Sequence, residues 1–125
     1  MDETWAIDED DGASVSPDTV QQVLRERIDG GRRETWLISS SGRSLTFVTN
    51  GERAMVALLN GTDAPGERAV DPGARGSSTG FVLSNGQHDE YPNEDTVPLE
   101  EALRIFRHIV SEGSRPPDAP WAVDR

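Results

Sequence analysis

Between Ser84 and Asp95 the chain reads SNGQHDEYPNED, which sets four carboxylates (Asp89, Glu90, Glu94, Asp95) around His88 and the single tyrosine, Tyr91. Side chains of these types do four kinds of work. Paired carboxylates serve acid–base catalysis, histidine with acids ligates metal, histidine activates a nucleophile, and clustered negative charge attracts a basic partner. A nucleophile is at hand, because GSSTG at residues 76–80 fits the GxSxG pattern with Ser78 at its centre. That pattern is catalytic when the serine sits on a sharp turn from strand into helix. Here a Gly/Pro-rich loop precedes Ser78 and an apolar, strand-like run follows it. The context therefore speaks against a hydrolase built on Ser78, His88 and Asp89.

The other chemistries fare no better. Cysteine is absent, which removes thiol nucleophiles, thiolate zinc sites and disulfides. Lysine is absent too: all twelve basic residues are arginine. That removes Schiff-base chemistry and the lysine of a phosphate-binding P-loop. His88 with Asp89 or Glu90 supplies only two or three ligands, and His108 stands on the polar side of a separate helical segment, so no metal site is defined. IDEDDG at residues 7–12 looks like the start of a calcium loop. Aligned on Gly12, however, it places Ile7 at the first ligand position and Asp18 where a bidentate glutamate is needed. A carbohydrate cleft would need aromatic walls, and Trp36 and Phe47 read as core residues rather than a stacking platform. The expectation is no catalytic residue, no metal and no cofactor.

Hydrophobic periodicity gives the elements that would carry these side chains. TWAI at 4–7 is a short strand candidate. In SPDTVQQVLRERI the expected helix has Ser16 as cap, Pro17 at the first position and Asp18 at the positive end. Val20, Val23, Leu24 and Ile28 share one face, and Gly30–Gly31 is the stop. TWLISS, SLTFVT and AMVALLN follow as strands separated by Ser-Gly and Asn-Gly turns, the pattern of an antiparallel meander. Residues 60–79 read as a long exposed loop. GFVLS is the next strand, Asn85–Gly86 a turn, and HDEY a return strand. A second helix opens at Pro98, carries Glu100 and Glu101 in its first turn, and ends at Gly113. Its apolar stripe is Leu99, Ala102, Leu103, Phe106, Ile109 and Val110. The fold class expected is α+β: one domain over residues 1–125, with a single antiparallel sheet of about four to six strands and two helices packed on it. Residues 1–15 would form an acidic arm or short strand, and 114–125 an extended Pro-rich tail pinned by Trp121.

The formal charge is −11, unevenly placed. Residues 1–18 hold seven acids and no base, residues 76–103 six acids and no arginine, while 25–75 holds eight arginines against seven acids. Nucleic acid and anionic membranes require basic surfaces, so neither is an expected partner, whereas a basic protein is. Halophilic or solubility adaptation would produce similar acidity. No apolar run approaches the roughly 18 residues of a membrane span. The acidic start MDETWAIDEDD lacks the positive charge of a secretion signal, which points to the cytoplasm.

The segment GFVLSNGQHDEYPNEDTVPLEEALRIFRHIVSEGSRPPDAPW, residues 80–121, resembles the end of the first immunity-protein family of bacterial polymorphic-toxin systems, a family often found beside deaminase toxins. The matching features are an apolar strand ending in a glycine turn, an acidic stretch, a helix opened by VPLEEAL, and a closing Gly, Arg-Pro, Trp pattern. These fall on Gly86, Pro98, Glu101, Ala102, Gly113, Arg115, Pro116 and Trp121. The first 75 residues agree only in coarse strand order and in a Gly-rich loop. The resemblance implies a protein that binds and neutralises a cognate toxin domain made by the same cell, and leaves the toxin's identity open. Toxins acting on nucleic acid need basic clefts, which an acidic inhibitor can be steered towards and fill. On that basis Asp89, Glu90, Tyr91, Glu94 and Asp95 are the expected partner-facing edge. The alternative is a small non-catalytic regulatory or scaffolding domain of the same outline; oligomeric state is left open.

Overall fold

The computed structural model describes residues 3–8, 14–61, 66–83 and 85–123. Along the chain these form β1 (Trp5–Ile7), β2 (Ser14–Val15), α1 (Val20–Asp29), β3 (Glu34–Ser39), β4 (Ser44–Thr49), β5 (Arg53–Leu59) and β6 (Gly66–Ala69). They continue as β7 (Ser77–Val82), β8 (His88–Pro92), a 3₁₀ turn at Asn93–Asp95, β9 (Val97–Pro98), α2 (Leu99–Glu112) and β10 (Trp121–Val123). The fold is α+β, with two helices and an antiparallel sheet. That sheet is larger than the four to six strands expected. It has eight, in the order β10-β6-β5-β4-β3-β1-β2, with β9 also paired to β5. β7 and β8 form a separate two-stranded hairpin.

The central meander forms where short apolar runs are separated by cheap turns. Between β4 and β5 the Asn50 side chain accepts hydrogen bonds from the amides of Glu52 (2.9 Å) and Arg53 (2.8 Å), and Gly51 takes the positive φ of 94° that the reversal needs. Facing positions in this sheet share a side: Leu37, Leu45 and Leu58 form one row, Thr35, Phe47 and Val56 another. α2 lies over β4 and β5 on this side, with Phe106 edge-on to Phe47 at 5.3 Å between centroids. α1 packs against α2 and adds Val20 and Leu24 to the core. With neighbours on two sides, α2 buries Ile105 as well as Ala102, Leu103, Phe106, Ile109 and Val110 of the expected stripe, while Leu99 is partly buried at the core's edge. It ends at Gly113, whose left-handed φ of 77° costs glycine little because it has no β-carbon.

Three local expectations need correction. α1 starts at Val20, not at Pro17, because Pro17–Thr19 form a turn closed on the Ser16 carbonyl by the amides of Thr19 (3.1 Å) and Val20 (2.9 Å). The loop expected over 60–79 contains β6, whose sequence Gly-Glu-Arg-Ala carries no strand pattern of its own. It is ordered instead by β5 on one side and β10 on the other. The Pro-rich tail likewise ends as a strand, with Trp121 opposite Ala69 and packed against the core.

The sheet's other side is only half covered. Thr46 and Val48 point away from the helices by strand parity, yet are 3% and 2% exposed. The β7–β8 hairpin closes over them, since β7 touches β4 and Phe81 is fully buried outside the main core. Phe81 meets Tyr91 edge-to-face at 4.9 Å. The result is three layers: helices, sheet, hairpin. Among the described residues no helix is long and apolar enough to cross a membrane.

Candidate functional site

A bulge decides which hairpin side chains reach the sheet. Ser78 pairs with Tyr91 and Phe81 with Asp89, so β7 spends two residues, Thr79 and Gly80, where β8 spends one, Glu90. Three residues along an undisturbed strand would put Ser78 and Phe81 on opposite faces; the extra residue turns both, with Asp89 and Tyr91, towards the sheet. Gly80 supplies the positive φ of 88° that the bulge uses, beside Asn50, whose side-chain amide donates to the Thr79 carbonyl at 3.0 Å. The glycines framing Ser78 therefore serve a bulged strand, not a turn into a helix.

A second clasp fixes the acidic turn. Arg53, at the start of β5, donates to the Thr96 hydroxyl (2.7 Å) and carbonyl (3.1 Å), to the Asn93 carbonyl (3.2 Å) and to the Asp71 carboxylate (2.6 Å). One guanidinium thus ties β5, the 3₁₀ turn and the loop after β6 together, using the planar fork that lysine lacks. Asn93 adds its side-chain amide to the Arg75 carbonyl at 2.8 Å and accepts from the Ser78 hydroxyl.

The five expected partner-facing residues are brought into one region but not onto one face. Asp89 and Tyr91 point inward along β8, and the Tyr91 hydroxyl donates to Asp89 at 3.1 Å. Asp89 also accepts from the Gln87 amide at 2.8 Å. Glu90 and Glu94 are exposed, Glu90 accepting from the Ser77 hydroxyl. Asp95 turns back to the sheet and pairs with Arg68 at 3.2 Å. Burial, foremost, and then the hydrogen bond and charge of Asp89 push the Tyr91 phenol up to about 12, with Glu34 adding a further negative neighbour.

That last neighbour leads to residues the sequence reading placed elsewhere. Glu34 and Trp36 share the outer side of β3, and the Trp36 indole N–H donates to the Glu34 carboxylate at 3.1 Å. Trp36, expected in the core, is 37% exposed, and Ile38, two residues on, is 41% exposed. Phe47, expected there with it, is buried. The strand carries apolar residues on both parities, Leu37 inward and Trp36 and Ile38 outward. The hairpin does not extend over the outward pair. A strand that is apolar on both faces was the available signal, since it implies cover on both sides.

The groups weighed for catalysis do not converge. Ser78 lies opposite Tyr91, whereas His88 lies opposite Val82 at the far end of the hairpin. His108 is on α2. Among the described residues no three His, Asp or Glu side chains gather as a metal would need. Most of the calcium-like segment, residues 9–13, lies outside the described residues; Ile7 is buried in β1. No protein-family model matches the chain, and no curated protein matches it.

Proposed function

We propose that this protein is a non-catalytic inhibitor that binds and neutralises a cognate bacterial toxin in the cytoplasm of the cell producing it. The observation that carries the reading is the placement of charge. The arginine-free acidic stretch of the sequence supplies the hairpin and the 3₁₀ turn, and Tyr91 of that hairpin lies near Glu34 of β3, the strand that presents Trp36 and Ile38 to solvent. Localised negative charge next to apolar anchors suits a basic protein surface, and a nuclease or deaminase acting on nucleic acid is the toxin class with a basic cleft to offer. The resemblance of residues 80–121 to immunity proteins points the same way. A regulatory or scaffolding domain would use the same surface, so the test must involve a toxin. The gene directly upstream should encode a secreted toxin; its C-terminal domain, expressed alone, should kill cells, and co-expression of this protein should restore growth. Killing that continues at equal expression of both proteins removes the proposal and favours the scaffolding reading.

A further inference from the structure

We infer that the uncovered part of the sheet's outer side, centred on Trp36 and Ile38, is where the partner anchors, and that the partner presents an arginine or lysine beside an apolar side chain. This rests on the toxin-inhibitor reading and locates its contact.

Strand register gives the two side chains apolar neighbours on the flanking strands, with the hydroxyls of Ser44 and Thr46 between. Trp36 stands in a row with Thr46 and Ala57, and Ile38 in a row with Ala6, Ser44 and Leu59. Ala6, Ala57 and Leu59 are each partly exposed, so apolar surface lies on β1, β3 and β5. Scattered exposed aliphatics are ordinary on a protein surface, but two of the three exposed large apolar residues among those described sit side by side here. The Trp36 ring is also oriented, because its N–H is held by Glu34. An oriented, part-exposed tryptophan loses little rotamer freedom on binding, which is the usual character of an interface hot spot.

The border of this surface selects the occupant. On the outer side of the sheet and the adjoining hairpin the acids include Glu34, Asp71, Asp89 and Asp95, and the arginines include Arg53, bound to Asp71, and Arg68, bound to Asp95. The balance is acidic. A cation over the exposed indole face would gain from the ring and from Glu34 together. A second copy of this chain would bring Glu34 and Asp89 against their like, and nucleic acid would meet the same repulsion. A protein surface with a basic residue flanking an apolar plug satisfies both the apolar surface and its border.

The test uses the full chain and a catalytically inactivated form of the upstream-encoded toxin domain. Trp36→Ala and Ile38→Ser should each weaken binding, Trp36→Ala by about 30-fold, and Trp36→Phe should restore most of it. Both positions are exposed, so melting curves should stay near the parent's. Glu94→Gln, on the exposed turn, should leave the equilibrium affinity within about threefold. Toxin bound equally by the parent and by both apolar variants would overturn this placement while leaving the inhibitor function standing. A parent that binds no toxin would overturn the function and the placement together. A parent that sediments as a dimer and is dissociated by Trp36→Ala would assign the face to a second copy, and would also overturn the inference.

Discussion

Arg43 ties the start of the described chain to the end of α2. Its guanidinium donates to both oxygens of Glu3, to the Gly113 carbonyl at the end of α2 (2.7 Å), and lies 5.4 Å from the centre of the Trp5 ring. The hydrogen bonds from Arg43 lower the Glu3 carboxyl from 4.5 to about 2; burial opposes this, and the Ser41 and Ser39 hydroxyls reinforce it. A folded pKa below the unfolded one stabilises above the unfolded value and is lost as pH falls. After a discount for solvent screening of the pair, Glu3 should therefore contribute about 2–3 kcal/mol at neutral pH, fading between pH 4.5 and about 2. Urea unfolding at pH 7 should show Glu3→Gln less stable by that amount, with the gap closing as the pH approaches 2; a gap that persists there would place the effect elsewhere. None of this was legible beforehand, because Glu3 and Arg43 meet only through the pairing of β1 with β3. Trp36 shows the opposite case. The strand itself was plain in the sequence, but it is apolar on both parities, and which of them faced the helices depended on neighbours that the sequence does not name.

At the scale of elements, the hairpin carries a small core of its own. Phe81 is fully buried between Tyr91 and the outer side of β4, so Phe81→Ala should cost about 3–5 kcal/mol. Amide exchange should report that loss first in β7 and β8, while β4 and β5 stay protected. Uniform loss across the sheet would mean that the hairpin and sheet unfold as one unit. Trp121→Ala should lower the melting temperature for a different reason: its ring packs on the core while its backbone pairs β10 to β6. An unchanged melting curve would show β10 to be dispensable. Ser78 should resist a fluorophosphonate probe, since its hydroxyl is bonded to Asn93 and His88 lies across from Val82; stoichiometric labelling would revive the hydrolase. The strongly patterned elements, α2 and β3–β5, could be read directly. The short strands β2, β6, β9 and β10 could not, because two to four residues carry no period, and pairing alone makes them strands.

At the scale of the whole molecule, the proposed contact combines charge steering with apolar anchors. The net charge of −11 should speed encounter with a basic toxin, while Trp36 and Ile38 should govern how long the complex lasts. The geometry refines which acids to remove. Asp95 offsets Arg68 and is left in place, whereas Asp89→Asn, Glu90→Gln and Glu94→Gln together strip charge from the hairpin and turn. The N-terminal acids Asp8, Glu9, Asp10 and Asp11 provide the comparison, although residues 9–11 lie outside the described structure. The decisive measurement is the association rate of the inactivated toxin domain with the parent and both neutralised variants, across a salt series. The account predicts a parent rate that falls steeply with salt, a hairpin variant about tenfold slower at low salt, and dissociation rates nearly unchanged. Equal association rates for the parent and the hairpin variant at every ionic strength would contradict it.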